Sequence, residues 1–204
     1  MFIKNQQPQP TINEPGLDTL IMSAPLHRVI TGHSSTGKAI ITHDDILQPV
    51  DLMDNSKLAT DSDFGITLLY RTESDSNDHD KTADSSTAAF SVSNTVPFQV
   101  PYQSRMPVVE PGHANWRIVD FPAGSTAPMH RTTSVDFGLV LKGEIVLELD
   151  DGVEKVLTEH SGIVQRGTIH AWHNRTTAVT RMVFMILPSE TIVVNGQELA
   201  DVPL

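Results

Sequence analysis

Apolar and polar residues alternate with a period of two through much of the second half of this 204-residue chain. Ile145, Leu147 and Leu149 alternate with Glu144, Val146 and Glu148. Further on, Met182, Phe184 and Ile186 share one parity while Arg181, Val183 and Met185 share the other. Successive side chains of a β-strand point to opposite faces, so this period marks strands with one buried side. The pattern predicts strands over 116–121, 132–142, 144–150, 153–157, 163–165, 168–173 and 180–187. Asp150-Asp151-Gly152 interrupts two alternating runs and predicts a hairpin turn, because Asp-Gly accepts the left-handed backbone that such turns need. Several short strands at regular spacing imply an all-β barrel or sandwich.

The first half is less regular. Residues 1–24 are rich in Gln, Asn and Pro and read as a mobile tail leading into an extended arm. Runs 26–31 and 38–42 are β-prone and joined by Gly32-His33-Ser34-Ser35-Thr36-Gly37, which predicts a hairpin, and 64–70 reads as a strand. Residues 72–86 are polar, acidic and free of aromatics; such a stretch buries too little apolar surface to offset its ordering entropy. Residues 98–110 carry three prolines within or just beyond them and read as an extended crossing segment. The only places for short helical turns are 44–53 and 188–192. The expected organisation is an arm with flanking strands over 1–111, including a flexible acidic insert at 72–90, then a barrel over 112–188 and a tail over 189–204.

Candidate chemistry gathers at 124–174. His130, Thr132, Ser134 and Asp136 fall at every second position, and share a face if one strand runs unbroken through them. His170 lies in a later predicted strand, with Trp172 on its face and His173 on the other. Two imidazoles and a carboxylate form a ligand set that divalent transition metals accept. Taken singly, each His is more often a satisfied structural residue; together the three are candidates both as metal ligands and as acid–base groups.

The spacing of these residues resembles the cupin family of small β-barrels. Gly124, five residues, His130-x-Thr132, three residues, Asp136, six residues and Gly143 follow the first cupin motif. Gln165-x-Gly167, two residues, His170, three residues and Asn174 follow the second. Thr132 stands in place of the motif's second His, Asp136 in place of its Glu, and Gln165 in place of a Pro. His160 falls at the turn where the second motif carries its first Gly. The resemblance implies an all-β, jelly-roll-like single cupin barrel with an extended N-terminal arm. It carries metal ligation onto His130, Asp136 and His170, with Fe, Zn or Mn as the divalent metal. Metal-free chemistry stays open because Thr132 replaces a ligand. The same three residues are the catalytic candidates, and Thr132, Trp172, Phe137 and Arg181 are candidates for substrate binding. The stretch is similar to single-domain cupins of fungal and bacterial natural-product pathways, as is the earlier run HRVITGH…GKAI. This implies tailoring of a polyketide-like or aromatic small molecule. A lyase of dehydratase or decarboxylase type ranks first, a non-haem metal-dependent dioxygenase second and a non-catalytic ligand-binding module third.

Charge and composition narrow the partners. A formal net charge of −11 opposes nucleic acid and anionic membrane surfaces. The chain has no cysteine, and its first residues lack the apolar core of a secretory signal, so a cytoplasmic protein is expected. The unpartnered strand edges of the N-terminal runs predict a homodimer formed by strand addition.

Overall fold

The structure, a computed structural model, describes residues 25–54, 56–72, 108–110 and 112–203. The tail over 1–24 and nearly all of the acidic insert and the proline-bearing crossing segment lie outside these residues. Fourteen strands are formed among the described residues and no α-helix, so none of them builds a helix able to cross a membrane. They are β1 Leu26–His33, β2 Ala39–Leu47, β3 Val50–Asp51, β4 Gly65–Arg71, β5 Asn115–Phe121, β6 Thr126–His130 and β7 Ser134–Lys142. The rest are β8 Glu144–Glu148, β9 Glu154–Thr158, β10 Gly162–Arg166, β11 His170–His173, β12 Thr180–Pro188, β13 Ile192–Val194 and β14 Gln197–Leu199.

Two sheets hold the core. A six-stranded sheet runs β10-β7-β12-β5-β4-β3 and a four-stranded sheet runs β6-β11-β8-β9. Val140, Met182, Phe184 and Ile186 from the first pack with Ile145, Leu147, Leu157 and Trp172 from the second, as the period-two pattern requires. Phe121 completes this cluster, with Phe64 edge-on against it at 6.0 Å between ring centroids. Strands β3 and β4 extend the six-stranded sheet, so residues before 112 are part of the main body as well as the arm. Strands β1 and β2 pair with each other, and the Arg28 guanidinium donates to the Leu69 carbonyl of β4 and to Asp45. The helical turns allowed at 44–53 and 188–192 do not form. Extended pairing wins there: residues 44–47 finish β2, and Pro188 closes β12.

The turns follow local chemistry. Between β8 and β9, Asp151 and Gly152 both take positive φ (58° and 70°) in a short 3-10 turn, as the Asp-Gly signal predicts. Residues 189–204, expected as a tail, instead fold β13 and β14 into a hairpin around Asn195-Gly196, both at positive φ. Asn-Gly is as strong a hairpin signal as Asp-Gly, and it was present in the sequence. This hairpin and the residues after it brace the motif turns. Arg131 and Val202 exchange backbone hydrogen bonds, and the Thr133 hydroxyl donates to Asp201. A Cβ on Gly167, at φ 59°, would stand 2.0 Å from Ile192 Cδ1, so a larger residue would strain the backbone there and force the Ile192 side chain to move.

His160 is exposed and sits at φ 66°, in the turn where the family motif places glycine. A side chain in this left-handed region costs about 1–2 kcal/mol, of which the greater freedom of unfolded glycine takes back part. His160→Gly is therefore expected to stabilise the fold by roughly 0.5–1 kcal/mol, read as a higher midpoint in denaturant melts. An unchanged or lower midpoint would show that the turn carries no such strain.

Candidate active site

His130 and His170 meet inside the barrel. They are directly opposed in the β6–β11 register, both are buried, and their ring centroids lie 4.2 Å apart. A one-residue bulge produces this. Between the His170 and Trp172 pairings, β11 advances two residues while β6 goes from His130 to Ala127, three residues. The extra residue lets both Ala127 and His130 face inward, although strict alternation would part them. Pro128, which has no N–H to give to a ladder, lies within the bulge.

Each imidazole is oriented from behind. His130 Nδ1 donates to the Pro128 carbonyl at 2.8 Å and His170 Nδ1 to the Thr168 carbonyl at 2.9 Å. A carbonyl oxygen can only accept, so each Nδ1 carries the proton. Each neutral ring then keeps a lone pair on Nε2. Burial pushes the His130 pKa below the usual imidazole range. Burial and then the neighbouring His130 push that of His170 down to about 4. Both rings are therefore neutral near pH 7 and offer Nε2 as a base or as a metal ligand. Trp172 lies edge-on to His170 at 5.7 Å and leads from this pair into the apolar interior.

Asp136 reaches the interior from the other sheet. The expected unbroken strand through 130–136 does not exist: the chain leaves β6 at His130, crosses over 131–133 and enters β7 at Ser134. The crossover is held by the Thr132–Ser134 hydroxyl contact at 2.9 Å and by the C-terminal segment. Along β7, Ser134, Asp136 and Val140 share the buried parity. Burial pushes the Asp136 pKa up to about 6, against the Ser134 hydroxyl and the positive charge of Arg117. Its electrostatic partners are thus Ser134 and Arg117 rather than either imidazole. Among the described residues, no three His, Asp or Glu side chains close into a group that could hold a metal ion. His130 and His170 fit a divalent metal as two nitrogen donors, while Asp136 does not complete a set of three.

Two of the predicted substrate-binding residues point elsewhere. Phe137 has the outward parity of β7 and is 47% exposed. Arg181 lies at the opposite parity of β12 to Met182 and forms a two-pronged ion pair with buried Asp120, at 2.7 and 3.0 Å. Arg117, and not Arg181, is the arginine that faces the core. It is 4% exposed, lies across from Phe184 on the core face, and donates to Asn115 Oδ1 at 2.6 Å and the Val108 carbonyl at 3.1 Å. The signal was in the sequence: Arg117 shares parity with Val119 and Phe121 on a predicted strand. His173 faces outward, between Thr126 and Glu148.

Asn174 is fully buried and structural. Its amide donates to the Phe121 and Ala178 carbonyls and accepts from the Thr176 backbone and hydroxyl. The motif asparagine thereby ties the end of β11 to β5.

Comparison with known proteins agrees with this architecture. The model of the cupin domain family matches residues 117–186. Residues 117–186 are a cupin domain. Phomopsin biosynthesis cluster protein C' of Diaporthe leptostromiformis is 47% identical over 93 residues, covering 45% of this chain and 49% of the relative. Oryzines biosynthesis cluster protein J of Aspergillus oryzae is 40% identical over 96 residues, covering 47% and 54%. The cupin-domain-containing oxidoreductase virC of Hypocrea virens is 27% identical over 171 residues, covering 82% and 78%. The match thus spans about half the length of the first two relatives and most of the third. Two of these relatives carry the names of biosynthesis clusters, and the third is named for a cupin domain.

The raised pKa of Asp136 has a stability consequence. The folded state holds this proton more tightly than the unfolded chain, whose carboxyl titrates near 3.8. Its stabilising contribution is present below about pH 4 and is lost as pH rises through about 6. Asp136→Asn removes the loss. Relative to the parent, the variant should gain about 2 kcal/mol between about pH 4 and about pH 7, measured by paired denaturant melts. A difference that stays flat or falls with pH would show that the carboxylate is well compensated in the folded state.

Proposed function

We propose that this cupin is a small-molecule tailoring lyase in which His130 and His170 move protons. The observation that carries this reading is the pair of buried, neutral imidazoles, 4.2 Å apart between ring centroids, with Nδ1–H bound to carbonyls and the Nε2 lone pairs uncommitted. A substrate of polyketide-like or aromatic type would lie against Trp172, its hydroxylated end toward the polar residues. One Nε2 takes a proton from the carbon beside a carbonyl, and the electron pair forms the carbon–carbon double bond as the β-hydroxyl departs. The imidazolium so formed returns its proton to the leaving hydroxide, and water is released. The low basicity of both rings favours return of the proton, so that the pair works as a relay. A divalent metal (Fe, Zn or Mn) would be held by the two Nε2 atoms and would supply Lewis acidity. Nothing in the proton relay itself requires it.

A second reading is favoured by a specific observation. Two relatives matched over most of this chain are named cupin-domain-containing oxidoreductases, as is a third matched over less of it. In that case the two imidazoles serve chiefly as ligands, and the reaction needs both metal and an oxidant. The placement of such a step in natural-product biosynthesis rests on the names of the relatives and on the same interior.

The two readings separate in one experiment. The purified protein is incubated anaerobically in D2O with a β-hydroxy aryl ketone, with and without a chelator, and followed by NMR. The lyase is expected to exchange the α-proton and release water in both conditions, and His130→Ala or His170→Ala should slow this by about 100-fold or more. Turnover that appears only with metal and an oxidant assigns the oxidoreductase. Full activity in both His variants would reduce the pair to core structure.

A further inference from the structure

The barrel interior carries a second polar feature, apart from the imidazoles. Gln165 on β10 is the direct cross-strand partner of Asp136 on β7. Gln165 is 4% exposed and Asp136 7% exposed, and both lie on the buried parity of their strands. Among the described residues, neither Gln165 Nε2 nor Asp136 Oδ1 has a hydrogen-bond partner. Directly opposed side chains have Cβ atoms about 5 Å apart and leave the sheet in the same direction. A buried donor and a buried acceptor thus stand side by side without bonding each other. Leaving each unsatisfied costs roughly 1–3 kcal/mol. The family motif has proline where this chain has Gln165, and proline would bring no such donor.

We propose that Asp136 and Gln165 form a subsite for a ligand carboxamide, which gives its N–H to the Asp136 carboxylate and takes the Gln165 N–H on its carbonyl. One planar group presents a donor and an acceptor side by side, as the two residues do. A ligand carboxylate fits less well, because it would face the Asp136 charge. The Arg117 charge is already set against the Asp136 carboxylate, so a second carboxylate would leave this wall one negative charge in excess. A hydrocarbon would leave both groups unsatisfied. The proposal rests on the reading of the interior as a ligand site and names the chemistry that this wall selects. It does not depend on which reaction the imidazoles perform.

The probes are benzamide, N,N-dimethylbenzamide, methyl benzoate and benzoate, each titrated into the full-length protein and followed by protein NMR at neutral pH. Benzamide should bind, and the other three, which lack the donor, should bind at least about tenfold more weakly, the discrimination expected when a buried polar group is left unpaired. Gln165→Met keeps the volume and removes the donor. It should weaken benzamide about tenfold while its melting midpoint is unchanged or higher, since an unpartnered buried amide is lost. Asp136→Asn should narrow the preference for benzamide over benzoate, because the repelling charge is gone. His170→Ala should still bind benzamide, which keeps this test separate from that of the lyase: a protein that binds benzamide but never turns over the ketone supports the subsite and defeats the reaction. No benzamide binding, equal binding of dimethylbenzamide, or undiminished binding by a folded Gln165→Met variant would overturn the proposal and leave the two groups to ordered water.

Discussion

Two hydrogen bonds, from His130 Nδ1 to the Pro128 carbonyl and from His170 Nδ1 to the Thr168 carbonyl, govern the interior of this barrel. Each spans two residues of its own chain, so the ring is set by local backbone before any ligand arrives. With Nδ1 committed, both Nε2 atoms present lone pairs, and burial keeps the rings uncharged. The bulge in β6 is the geometric condition for this. Without the extra residue at 128–129, His130 and Ala127 could not both face inward, and the imidazole pair would not form.

The rest of the molecule sustains this polar wall within an apolar core. Trp172, Phe184, Met182 and Ile145 fill the interior beyond it and supply the burial that the polar residues do not. Arg117 is kept charged by Asn115, the Val108 carbonyl and the Asp136 carboxylate, although burial draws its pKa down to about 10. The C-terminal hairpin lies on the two turns that carry the motif residues, through Ile192 against Gly167 and Val202 against Arg131. The site is thus braced by segments distant in sequence, consistent with the need to hold reacting groups on locked side chains.

Much of this was legible in the sequence. Period-two alternation located the barrel strands, Asp151-Gly152 located a hairpin, and motif spacing singled out His130, His170 and Asn174. What parity could not reveal was the break at 131–133. Alternation counts residues within one strand and says nothing when the chain changes sheets. It therefore put His130 and Asp136 on one strand face, whereas they come from opposing sheets. Phe137 was misread because the adjacent motif residue hid its outward parity, and Arg181 because its partner Asp120 lies sixty-one residues away. Arg117, Gln165 and the Asn195-Gly196 hairpin carried readable signals, a charge or amide at inward parity and a turn dipeptide, but lie outside the metal-ligand residues that draw attention first.

The central claim is that His130 and His170 are neutral Nδ1–H tautomers with free Nε2 atoms. Long-range 15N–1H correlation NMR of the metal-free protein, with His130→Gln and His170→Gln for assignment, reads this directly. The account predicts protonated Nδ1 and unprotonated Nε2 for both rings near neutral pH, with His170 remaining neutral until about pH 4. An Nε2–H tautomer on either ring, or an imidazolium that persists to neutral pH, would contradict it.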